Sequence, residues 1–118
     1  MVAPATPAAL RKAELERELA RIVELLVREY RPVRIILFGS LAQGTVHEWS
    51  DIDLAIIKET DKRFLDRIGG VLLLARSTVG LEVIVYTPAE LDKLVAEGNY
   101  FVVDEILGRG RIVYEHRQ

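Results

Sequence analysis

Apolar residues recur along the chain in two different periods, and the change from one to the other marks out its elements. Leu15, Leu19, Ile22 and Leu26 fall at three- and four-residue spacing with charged residues between them. This spacing predicts an amphipathic helix over 7–30. Thr6-Pro7 offers a cap and a proline at the first helical position, and Pro32 ends the segment. Val33–Phe38 is short, apolar and rich in branched residues, which predicts a buried strand broken by Gly39-Ser40. A short helical turn and a loop are expected over 41–50, then a second strand over Asp51–Lys58. The segment 61–78 reads as a helix with Phe64, Leu65, Ile68, Val71 and Leu72 inward, weakened by Gly69-Gly70.

Leu81–Tyr86 is a third strand. Thr87-Pro88-Ala89-Glu90 is a capping box that opens a helix to about residue 97. Asn99 is placed to cap a further helix to about Leu107, and 111–114 reads as a short terminal strand. Strands alternating with helices predict an α/β fold, with a mixed sheet of three to four strands packed by helices.

Composition changes this picture only by exclusion. A chain of 118 residues, half of them hydrophobic and 29% charged, suits one domain with a real core. With no cysteine there is no disulfide and no thiolate chemistry. A net charge of −2 makes a large nucleic-acid surface a poor expectation. No apolar run is long enough to span a bilayer, and the start, Met1–Ala9, lacks the charge of a secretory signal. The expectation is a cytoplasmic protein.

The chemistry is expected in three carboxylates. Asp51 and Asp53 point to the same side of their strand, with Cα atoms about 6.6 Å apart. The rest of that strand is apolar on both faces. Like charges there are costly unless a cation neutralises them. Glu82 begins the next strand in the same way, and the three converge if the strands are neighbours. Hard oxygen donors of this kind suit Mg²⁺. Gly39-Ser40 lets a phosphate approach backbone N–H groups and the Ser40 hydroxyl. A phosphate cradle and acids on consecutive strands are the equipment of two-metal phosphoryl transfer.

Phe38-Gly39-Ser40, then ten residues, then Asp51-Ile52-Asp53-Leu54, resembles the signature of the polymerase β-like nucleotidyltransferase superfamily. The text LFGSLAQG and SDIDLAII looks like its minimal (MNT) branch, as does the ending DEILGRGRIVYE. The resemblance implies that residues 1–118 form one minimal nucleotidyltransferase domain. It implies that Gly39 and Ser40 hold the triphosphate of ATP or another NTP, and that Asp51, Asp53 and Glu82 hold two Mg²⁺ ions. By the same resemblance Glu82 takes the proton of an acceptor hydroxyl. The implied acceptor is a tyrosine of a HEPN-domain partner encoded nearby, a toxin that the transfer silences. The chain departs from many members in having Glu rather than Asp at the third acid and Gln43 where they carry Arg or Lys.

Two other functions remain open: a non-catalytic antitoxin that binds by contact alone, and a nucleotidyltransferase for small molecules. Whether a second copy of the chain takes part in the assembly also stays open. His47 is expected at the loop surface, Trp49 packed on its loop, and Arg11, Arg17, Arg21 and Arg28 on a solvated helix face. Leu10, Ala13, Val27, Phe101 and Val102 are expected to present apolar surface to a partner.

Overall fold

The computed structural model describes residues 5–117. Met1–Pro4, the first part of the apolar start read above, lie outside the described residues. Helix α1 runs Pro7–Glu29, with the Thr6 hydroxyl accepting from the Ala9 N–H at 3.1 Å. Strand β1 (Arg34–Phe38) leads straight into a five-residue helix α2 (Gly39–Gln43). Strand β2 (Ile52–Ile57), helix α3 (Phe64–Ala75) and strand β3 (Leu81–Tyr86) follow. Helix α4 (Pro88–Ala96) opens on the full capping box of Thr87 and Glu90. The segment after Asn99 is also helical, but it is a π-helix, Phe101–Gly108, with the Asn99 side chain accepting from the Val102 N–H. Strand β4 (Arg111–Glu115) closes the chain.

The four strands form one mixed sheet in the order β3-β2-β1-β4. β1 is antiparallel to both β2 and β4, and β2 is parallel to β3, with α3 as the crossover. Antiparallel neighbours need only short links, whereas a parallel pair needs a long crossover, usually helical. Both sheet faces carry apolar rows, so both must be covered. On one face Ile35, Leu37, Ile52, Leu54 and Ile56 pack under Leu15, Leu19, Ile22 and Leu26 of α1 and Val71 and Ala75 of α3. On the other, Ile36, Ala55, Ile57 and Tyr86 pack under Leu91 of α4 and Val102 and Ile106 of the π-helix.

Three sequence expectations change. The inward face of α3 is Arg67, Val71 and Ala75, while Leu65 is 76% exposed and Phe64 and Leu72 are also exposed. The phase is set by Arg67, which donates to the Val85 carbonyl at 3.2 Å and pairs with Glu90 at 2.6 Å. An arginine stem packs like an apolar residue when its head finds partners, so a count of apolar positions misplaces this helix. Val102 is buried in the second core rather than exposed. Trp49, expected to pack its loop, is 76% exposed.

Candidate active site

The acids lie where the second sheet face is left open. Phe38, Asp53 and Glu82 are register partners in one row across β1, β2 and β3. Side chains alternate along strands, so this row shares its face with Ala55, Ile57, Ile84 and Tyr86. Those residues lie at the covered end, under α4 and the π-helix. Phe101 of the π-helix meets Phe38 edge to face at 5.5 Å between ring centres.

Asp53 and Glu82 face each other across the β2–β3 pair, and their carboxyl groups are close enough to act on each other. Burial first, then the neighbouring Glu82 carboxyl, then the charge of Asp51, push Asp53 up to about 7. Its usual value is 3.8. Two carboxyls this close share a proton or need a cation, because both cannot ionise cheaply side by side.

Two glycines make room for the acids. Gly39 has φ +76°, a left-handed conformation that favours glycine, and a Cβ there would collide with the Asp53 Oδ2. Gly80, just before β3, lies against Asp51 in the same way, so that a Cβ would strike its carboxylate. Ile52 N–H also donates to the Gly80 carbonyl at 3.0 Å. Ser40 follows Gly39 in the first turn of α2 and is half-buried beside the acids. The helix begins at Gly39, two residues earlier than the pattern suggested.

Asp51 precedes β2 and has a different companion. Arg11 of α1 donates through Nε to the Ser50 carbonyl at 2.8 Å and through Nη2 to Asp51 Oδ1 at 3.4 Å. Arg11 is therefore not part of the solvated face. Arg21 stays on the solvated face at 45% exposure, while it pairs with buried Glu18 and donates to the Ala75 carbonyl at the end of α3. His47 is exposed, as expected, and its Nδ1 accepts from Trp49 N–H at 3.2 Å.

The structure thus joins Asp53 to Glu82 beside Gly39-Ser40, with Asp51 close enough for its charge to act on Asp53. Among the described residues no three carboxylate or imidazole groups are gathered into a finished metal cage. The donor set nonetheless fits a hard divalent ion. Mg²⁺ keeps several waters and takes only one or two protein carboxylates besides substrate phosphates, and a cation would relieve the repulsion that raises Asp53. Asp51, Asp53 and Glu82 are the residues that would hold it.

Sequence reasoning missed Gly80 and Arg11. Gly80 was readable: with β2 and β3 side by side and Ile52 opposite Leu81, one step back sets Asp51 beside Gly80. Nothing in the local sequence points to Arg11, which reaches Asp51 from 40 residues away.

A mixed sheet with acids at the open ends of adjoining strands, beside a Gly-Ser turn, defines a class of phosphoryl-transfer fold. The family model of the nucleotidyltransferase domain matches residues 17–113, and the chain belongs to that family. It is a nucleotidyltransferase. It is 32% identical over 101 residues to a Methanocaldococcus jannaschii protein named "putative protein adenylyltransferase", covering 84% of this chain and 97% of that one. A crystal structure of a "putative nucleotidyltransferase" from Sulfolobus solfataricus shares the fold, with a TM-score of 0.68 at 17% identity, over 98% of this chain and 94% of that one. A crystal structure of a toxin–antitoxin with AMP-PNP aligns with a TM-score of 0.50 at 23% identity, over 84% of this chain and 74% of that one.

Proposed function

We propose that the chain is a Mg²⁺-dependent protein adenylyltransferase that moves AMP from ATP to a tyrosine hydroxyl of a HEPN-type partner and thereby silences it. Residues 1–118 act in this reading as one minimal, cytoplasmic domain. The observation that carries the reading is the Asp53–Glu82 pair, directly opposite each other on adjoining strands and set against the Gly39-Ser40 turn. Relatives support it: one is named for protein adenylyltransfer, and another solved structure is a toxin–antitoxin with an ATP analogue.

Each residue has a part in this reading. Gly39 offers backbone close to the triphosphate, and Ser40 offers a hydroxyl. Asp51, Asp53 and Glu82 hold the metal, which when bound neutralises charge on the phosphates. The acceptor oxygen forms its bond to the α-phosphorus, the bond from that phosphorus to the bridging oxygen breaks, and pyrophosphate leaves. Glu82 takes the hydroxyl proton. It is exposed on an edge strand and so open to an incoming side chain. Such a site works mainly by positioning and electrostatics, so a small domain suffices.

Co-expression with the neighbouring gene product, followed by size-exclusion chromatography and intact mass, tests the proposal. A helical partner that gains the mass of one or more AMP units, with the added mass on tyrosine, is the expected result. A stable complex without added mass in ATP and Mg²⁺ would replace the enzyme with an antitoxin that works by binding. No complex at all would leave transfer to a small molecule.

A further inference from the structure

Asp51 is held in place from outside the sheet. Ser50, the residue before it, is 3% exposed, and its hydroxyl accepts from the His47 N–H at 2.9 Å. The Ser50 carbonyl would be left without a strand partner at this turn, and Arg11 supplies one through Nε at 2.8 Å. The same guanidinium gives Nη1 to Glu14 at 2.7 Å, one turn along α1. Only the remaining corner, Nη2, touches Asp51, and at 3.4 Å this is a long contact. The Arg11 side chain is 19% exposed, whereas Glu14 and Asp51 are about half exposed.

These distances rank the contacts. The short bonds go to the backbone before Asp51 and to Glu14, and the long one goes to the acid itself. Glu14 also draws part of the guanidinium's charge away from Asp51. We infer that Arg11 and Glu14 form a positioning pair: Arg11 pins the Ser50–Asp51 turn to α1, and Glu14 keeps the guanidinium from closing on Asp51, so that the carboxylate stays fixed yet available to a divalent cation. The inference rests on the metal-dependent reading of the site above.

The sign of the effect separates this role from simple charge repulsion. If Arg11 merely repelled the cation, its removal would tighten binding. If it positions Asp51, its removal loosens the turn and weakens binding, as loss of an outer partner of a metal ligand commonly does. Glu14→Gln works in the opposite direction on the charge and yet has the same outcome, because the freed guanidinium moves onto Asp51.

The experiment titrates Mn²⁺ into the full chain with a non-hydrolysable ATP analogue, by calorimetry and by fluorescence of Trp49. Trp49 is the sole tryptophan and stands two residues from Asp51. Melting temperature in EDTA is recorded for each variant. Arg11→Gln and Glu14→Gln should each weaken Mn²⁺ by about tenfold, with Arg11→Lys recovering part of the loss because its ammonium still reaches a carbonyl. Glu14 is exposed, so Glu14→Gln remains a fair test if Arg11→Gln lowers folding. Equal or tighter Mn²⁺ binding in either Gln variant overturns the inference while leaving the functional proposal intact. Wild-type protein that binds no Mn²⁺ overturns both.

Discussion

Asp53 and Glu82 sit side by side on parallel strands, two carboxyl groups that are ordinarily both anionic. Two carboxyls this close favour retaining a proton, which gives the site a pH dependence of its own. Asp53 is pushed up to about 7 in the fold, against 3.8 ordinarily. An acid raised in this way binds its proton more tightly folded than unfolded. Its penalty is absent below about pH 4 and complete above about pH 7, so metal-free protein should lose stability as pH rises through that window. Asp53→Asn should abolish transfer, raise the melting temperature by a few degrees at alkaline pH in EDTA, and change it little near pH 4. Thermal melts across pH check this. A variant less stable at every pH would give Asp53 a structural role instead.

The glycines beside the acids predict a division between stability and turnover. Gly80→Ala puts a methyl group against the Asp51 carboxylate, which is half exposed and must shift from the position that Arg11 gives it. Turnover should fall at least about tenfold, since a misplacement of an ångström costs that much or more. Unfolding free energy should change by no more than about 1 kcal/mol. Gly39→Ala meets Asp53 and also forces alanine to a positive φ, so it should cost stability as well, about 1–2 kcal/mol. Urea unfolding alongside an initial-rate assay separates the two effects. Equal rates in Gly80→Ala and wild type would mean that Asp51 is not needed where it lies.

Ser40→Ala tests the cradle without touching the acids. Loss of one hydrogen bond to a charged group should weaken ATP binding by about 1.5–3 kcal/mol. Calorimetry with a non-hydrolysable analogue measures it, and unchanged affinity would move the triphosphate away from this turn.

A fourth outcome concerns the scaffold. Glu18, 7% exposed, accepts from Arg21 at 2.6 and 2.9 Å and from the Thr78 N–H at 2.6 Å, tying α1 to the end of the crossover. Above all the Arg21 hydrogen bonds, and also those of Thr78, hold its carboxyl down at about 2, from 4.5. A lowered acid contributes stability that is present above its unfolded value and lost as pH falls through its folded one. The window here runs from about 4.5 to about 2. Glu18→Gln should cost about 1–3 kcal/mol near neutrality and flatten acid unfolding across that window, with Arg21 itself partly screened by solvent. Circular dichroism during acid titration reads both effects.

Much of this was legible because the pattern of the chain is local. Strand cores, the capping box at Thr87 and the cap at Asn99 are written in neighbouring residues, and the structure keeps them. The row of acids followed from strand alternation once β2 and β3 were taken as neighbours. What escaped was non-local. The phase of α3 depends on Arg67 finding the Val85 carbonyl and Glu90 across the fold. Arg11 looked like a surface charge, and the anchoring bonds of exposed Arg21 went unseen, because their partners, Ser50 and the end of α3, lie far along the chain. Long polar side chains reveal their role only when the distant carbonyl that they satisfy is known.

The crossover between β2 and β3 carries a lesson about tolerance to change. Asp53 faces Glu82 because two strands pair in register, and the length of the connection does not enter that geometry. Residues 59–61, between the Lys58 contact to Tyr30 and the Lys62 carbonyl that holds Arg67, can therefore lengthen or shorten without moving the acids, so long as α3 still lays Val71 and Ala75 on the sheet. An insertion there would lengthen the route between the strands while leaving the spacing of the acids as it was. That makes this loop the natural place in the chain to graft a tag or a sensor.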